Sequence, residues 1–125
     1  NLTSSILTNA NLSGATLTYA NILGAALTGA NFNNAKDLKQ TAGNNGALGN
    51  FAGFNFSNAN LTGNNLSYAN FSNANLSGAN LSWADLSYSN ITGASITGAN
   101  FINALWINGV TRCWDISLPG TCGGA

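Results

Sequence analysis

The chain has 125 residues, three basic and three acidic side chains, no histidine and a formal net charge of zero. With 5% charged residues it carries neither a basic footprint for nucleic acid nor an anionic surface, and its solubility rests on Asn, Ser and Thr. The length suits one domain, no apolar run reaches the roughly eighteen residues of a membrane span, and the lack of Met predicts a processed or trimmed chain.

Large apolar residues recur in steps of five. In a first block these centres are Leu2, Leu7, Leu12, Leu17, Ile22, Leu27 and Phe32. In a second they are Phe51, Phe56, Leu61, Leu66, Phe71, Leu76, Leu81, Leu86, Ile91, Ile96, Phe101 and Trp106. Ala stands two before the centre in 13 of 18 repeats, Asn just before it in 13 of 19, and Ser or Thr just after it in 14 of 19. A period of five fits neither an amphipathic helix nor an alternating strand, and it marks a repeat architecture. The motif, as in Ala59-Asn60-Leu61-Thr62-Gly63, resembles the pentapeptide-repeat family, in particular its cyanobacterial-type members. The resemblance implies an all-β fold, a right-handed quadrilateral β-helix with four repeats per square coil and with the centre and the small residue two before it pointing inward. Nineteen repeats then make about five coils. Gly, Asn and Ser suit the tight corner that each repeat would need.

In chain order, residues 1–35 carry the first block, with Ser5 as its one polar residue in the small slot. On four repeats per coil, Leu2 lies under Ile22, Leu7 under Leu27 and Leu12 under Phe32. Residues 36–48 interrupt the pattern with the most polar segment of the chain and the turn cluster Gly43-Asn44-Asn45-Gly46. Phe32 and Phe51 are 19 apart, one short of a coil, so the segment reads either as a distorted coil lacking a residue or as a loop leaving one corner. The loop is preferred, because Asp37 would otherwise take a centre. Residues 49–107 hold the second block. Phe54 there takes a small slot, which predicts local widening, and Asn64 takes another, which predicts a buried polar group in need of partners. The β-solenoid therefore spans 1–107, and residues 108–125 leave the repeat as a C-terminal capping tail over the last coil.

Cys113 and Cys122, both in that tail, read as a disulfide stapling the cap or as two reduced thiols. The disulfide reading places the protein in an extracytoplasmic compartment, whether periplasm, thylakoid lumen or outside the cell. Two cysteines without histidine do not make a metal site. Asp37, Asp85 and Asp115 are scattered along the chain, so no carboxylate pair serves acid–base work, and no serine has a base to activate it. No enzyme activity and no cofactor are expected. The function expected is a non-catalytic scaffold or protein-interaction module, monomeric or weakly associated. Tyr19, Tyr68, Trp83 and Tyr88 all fall two after a centre, facing outward, and Tyr68, Trp83 and Tyr88 form the candidate interaction patch. The alternatives are a glycan- or surface-binding solenoid using these aromatics and a DNA mimic acting on gyrase or topoisomerase. The DNA mimic is disfavoured because Asp85 is the one acid inside the repeats.

Overall fold

The computed structural model describes residues 1–17, 20, 22, 25–27, 30–32, 49–107 and 109. Each repeat contributes a corner rather than a long strand. Its centre carbonyl accepts the N–H three residues on, as in Ala59 N to Phe56 O at 3.0 Å and Ala79 N to Leu76 O at 3.0 Å. The residue two after the centre has positive φ, from Ser4 at 56° to Gly53 at 71°. An i to i+3 bond with positive φ at the third position is the signature of a type II turn, which explains why Gly and Asn recur there.

Between corners the chain runs parallel to itself. Asn50 pairs with Asn70 and Asn70 with Asn90, Asn55 with Asn75 and Asn75 with Ser95, Asn60 with Asn80 and Asn80 with Asn100, and Asn65 with Asp85 and Asp85 with Leu105. These four columns, each advancing 20 residues, set four repeats per turn. Ladder bonds are of ordinary length, such as Phe71 N to Asn90 O at 2.7 Å and Asn90 N to Ala69 O at 2.9 Å. In the first block Ile6 pairs with Ala26 and Asn11 with Asn31, the same step.

This geometry sends the centre and the small slot inward. Phe56, Leu61, Leu66, Phe71, Leu81 and Leu86 are fully buried, and so are Ala59, Ala79, Ala84 and Ala104. One large and one small side chain per repeat fill the narrow interior at close-packed density. The Asn before each centre has a separate task. Its side-chain oxygen accepts the backbone N–H two residues on, as in Ser57 N to Asn55 Oδ1 at 3.0 Å and Ser72 N to Asn70 Oδ1 at 3.0 Å. The amide also reaches along the stack, with Asn70 Nδ2 donating to Asn50 Oδ1 at 3.0 Å and Asn90 Nδ2 to Asn70 Oδ1 at 3.3 Å. Asn thus shapes the turn locally and ties neighbouring coils.

The interruption carries its own register. Asn31 pairs with Asn60, 29 residues on, where every other step is 20. Phe32 N accordingly donates to Asn60 O at 2.8 Å, and Asn60 N to Ala30 O at 3.1 Å. Phe32 therefore joins the column of Leu61, and the stretch between the two blocks is nine residues longer than a coil. Residues 36–48 themselves lie outside the described residues.

Asn64 is buried at this junction, and its Nδ2 donates to the Phe32 carbonyl at 2.8 Å. Its partner is backbone, not the neighbouring Asn ladder. Phe54 is also buried, and the ladder bonds beside it keep ordinary lengths, with Phe51 N to Asn70 O at 2.7 Å and Asn75 N to Phe54 O at 2.8 Å. The Phe54 ring is absorbed inside the column, 6.2 Å from Phe51 and 6.2 Å from Phe56. Phe56 meets Phe51 edge-on at 5.5 Å and Phe71 at 5.9 Å, so aromatic packing fills the coil beside the interruption.

Candidate functional site: an aromatic corner

The corner residues stack in columns as the centres do. Three of the four columns carry small or amide side chains around at most one ring: Gly53, Asn73 and Gly93; Asn58, Gly78 and Gly98; Gly63, Trp83 and Asn103. The fourth carries Tyr68 and Tyr88. All three aromatics have positive φ, 61° for Tyr68, 61° for Trp83 and 58° for Tyr88. A left-handed backbone costs a bulky residue about 1–2 kcal/mol relative to its right-handed form, a cost that glycine avoids. These positions are therefore held by large rings against the local preference of the turn.

The rings are also the most exposed large side chains of the second block, at 74% for Tyr68, 62% for Trp83 and 57% for Tyr88. Tyr68 and Tyr88 lie face to face, with centroids 5.1 Å apart and planes 25° from parallel. The stack continues onto Gly109, where a Cβ would come within 2.7 Å of the Tyr88 ring. Trp83 occupies the preceding corner of the same coil and packs against no other ring among the described residues. The sequence-based patch of Tyr68, Trp83 and Tyr88 is thus a two-ring stack with a separate Trp one corner away. Tyr19 lies outside the described residues.

Around the rings the surface is neutral and hydroxyl-rich. Ser87 and Ser89 flank Tyr88 and are buried, and the Ser89 Oγ has no hydrogen-bond partner. Asp85, the one charged side chain among the described residues, does what Asn does in other repeats. Its Oδ1 accepts the Ser87 N–H at 2.9 Å and the Ser87 hydroxyl. The carboxylate is occupied in holding its own turn. Sequence reasoning missed the backbone state of the aromatics, although a signal was present: they take the slot where Gly and Asn otherwise recur. It also missed Ile6, 86% exposed in the slot before a centre.

Cys113 and Cys122, together with the rest of the proposed cap apart from Gly109, lie outside the described residues. Among the described residues no group of three His, Cys, Asp or Glu is placed to hold a metal ion, and no helix is long and apolar enough to cross a membrane.

Several solved structures are similar. A pentapeptide-repeat protein from the cyanobacterium Cyanothece 51142, Rfr23, is 31% identical over 71% of this chain and 48% of its own, with a TM-score of 0.44. This chain thus spans about half the length of that relative. A pentapeptide-repeat protein from the thylakoid lumen of Arabidopsis thaliana is 28% identical over 82% of this chain and 69% of its own, with a TM-score of 0.43. HetL from Nostoc sp. strain PCC 7120, involved in regulation of heterocyst differentiation, is 30% identical over 86% of this chain and 41% of its own, with a TM-score of 0.33. No curated protein matches the sequence. The profile described as pentapeptide repeats matches residues 1–34, 49–78 and 65–103 in eight copies, most of the chain. Together with the five-residue corners and parallel ladders, that match places the chain in the pentapeptide-repeat family, whose fold is a right-handed β-helix.

Proposed function

We propose that this protein is a non-catalytic solenoid scaffold that docks a protein partner on the corners bearing Tyr68, Trp83 and Tyr88. The observation that carries this reading is the backbone state of the three rings. Each sits exposed at a left-handed turn position where glycine is the relaxed choice. Tyr and Trp supply large, rigid contact area with one polar atom each, the chemistry enriched at the centre of protein interfaces. Most of the other corner residues are Asn, Ser, Thr and Gly, which suits adaptable hydrogen bonding around such anchors. A solitary Asp85 that is already bonded to Ser87 does not imitate a run of phosphates, which argues against the DNA-mimic alternative.

The scaffold has about five coils with a C-terminal cap over residues 108–125, in which Cys113 and Cys122 pair in an extracytoplasmic compartment. It acts as a monomer or a weak oligomer.

Trp83→Gly tests the docking role, because it removes a ring while relaxing the backbone. The variant should be as stable as the parent or more so, by up to about 1 kcal/mol. Recovery of partner proteins in pull-downs from the source cells should fall at least about tenfold, as loss of one hot-spot aromatic of 1.4 kcal/mol or more requires. Full recovery of every partner with Trp83→Gly and with Tyr88→Gly would remove the reading.

A further inference from the structure

The Tyr68–Tyr88 stack supports a chemistry that docking does not require. Tyrosine occurs three times in the chain, and two of the three are held face to face in adjacent coils, with centroids 5.1 Å apart and planes 25° from parallel. Both rings are more than half exposed, so a soluble oxidant reaches either one. Their backbones are bonded into the same ladder, with Tyr68 N donating to Ser87 O at 2.9 Å and Tyr88 N to Ile107 O at 2.9 Å. The backbones that carry the two rings are therefore fixed as neighbours in adjacent coils.

We propose that Tyr68 and Tyr88 form an oxidative cross-linking site, at which a peroxide-driven one-electron oxidant joins the two rings as a dityrosine. Each phenol gives one electron to the oxidant and one proton to solvent. The two ring radicals then couple through the Cε carbons beside the hydroxyls, forming one C–C bond. Each of these carbons loses its hydrogen, and each oxygen regains one, which restores both phenols. The net loss is two hydrogen atoms, and one hydrogen peroxide is reduced to two waters. Coupling of free tyrosyl radicals needs two to meet, whereas here the second ring is already in place, the effective-concentration advantage of a preset pair. Rotation about the exposed side-chain bonds brings the Cε carbons together. The product bolts two coils across a 20-residue loop, so the cross-linked chain should unfold at a higher temperature than the parent.

The test treats the intact protein with peroxidase and limiting hydrogen peroxide, then reads the monomer by mass spectrometry. The expected product is a monomer lighter by two hydrogens with dityrosine fluorescence. After reduction and denaturation, cleavage before Asp37, Asp85 and Asp115 should leave peptides 37–84 and 85–114 joined as one species, since one holds Tyr68 and the other Tyr88. Tyr68→Phe keeps a ring in the stack but removes a phenol, and it should abolish the joined species. Tyr19→Phe should leave its yield unchanged. Linkage found only between chains, linkage through Tyr19, or tyrosines consumed without any joined peptide would overturn the proposal.

Discussion

Residues 1–12 and 51–86 share one period and differ in how completely each centre is enclosed. At the start of the chain Leu2, Leu7 and Leu12 are only partly buried, whereas Leu17, Ile22, Leu27 and Phe32 later in the same block are buried, and Phe56, Leu61, Leu66 and Phe71 in the second block are fully buried. The residue before the centre differs as well. In the first block Ile6, Thr16 and Ala26 stand where Asn is the rule. In the second block ten of the twelve repeats close an Asn or Asp bond to the N–H two residues on. A leucine in a solenoid is thus not worth a fixed amount, because its burial depends on whether a coil lies on both sides of it.

The largest expected effect tests that contrast directly. Phe71→Ala, between Phe51 at 5.2 Å and Phe56 at 5.9 Å, should cost about 3–5 kcal/mol in denaturant unfolding. Leu12→Ala, partly buried, should cost less than about 2 kcal/mol, below the range for a fully buried leucine. Equal losses would show that the first coil is enclosed as fully as the middle of the tower.

Next comes the junction. Asn64→Ala removes the donor on the Phe32 carbonyl and should cost about 1–3 kcal/mol. Asn64→Leu fills the slot without the bond and should not recover that loss. If Asn64→Ala unfolds at the parent's denaturant midpoint, the bond between the blocks contributes nothing.

The smallest effects separate the two tasks of the residue before the centre. Asn70 accepts from Ser72 N and from Asn90 Nδ2 and donates to Asn50, so Asn70→Ala should lower stability by about 1–2 kcal/mol. Asp85→Asn preserves the acceptor for Ser87 N and should stay within about 0.5 kcal/mol of the parent. A large loss from Asp85→Asn in thermal melts would give the charge a role beyond the turn.

Within each block the register was legible from the five-residue period together with the four repeats per coil that the family resemblance implies. Aligning every fourth centre correctly put Leu12 with Phe32 and Leu61 with Leu81, and the ladders between Asn11 and Asn31 and between Asn60 and Asn80 match it. The candidate site was legible in part. Tyr68 and Tyr88, 20 positions apart, were expected to stack and do, with Trp83 a corner away. The strained backbone beneath them was not read, although the Gly and Asn that recur in the same slot of other repeats mark a corner with positive φ.

The sequence by itself determined the repeat, since it follows from residue types at a fixed local spacing, and the family resemblance added which positions face inward. Only the tertiary structure decided how the two blocks join. The 19-residue gap from Phe32 to Phe51 left a distorted coil or a loop open, with the loop preferred, and neither reading named the partners: Asn31 pairs with Asn60 and Asn64 reaches the Phe32 carbonyl. The reason is that a solenoid's register is set by hydrogen bonds between coils. Where the period is broken, the partner of a strand is chosen by how the stacked coils satisfy one another and not by counting along the chain.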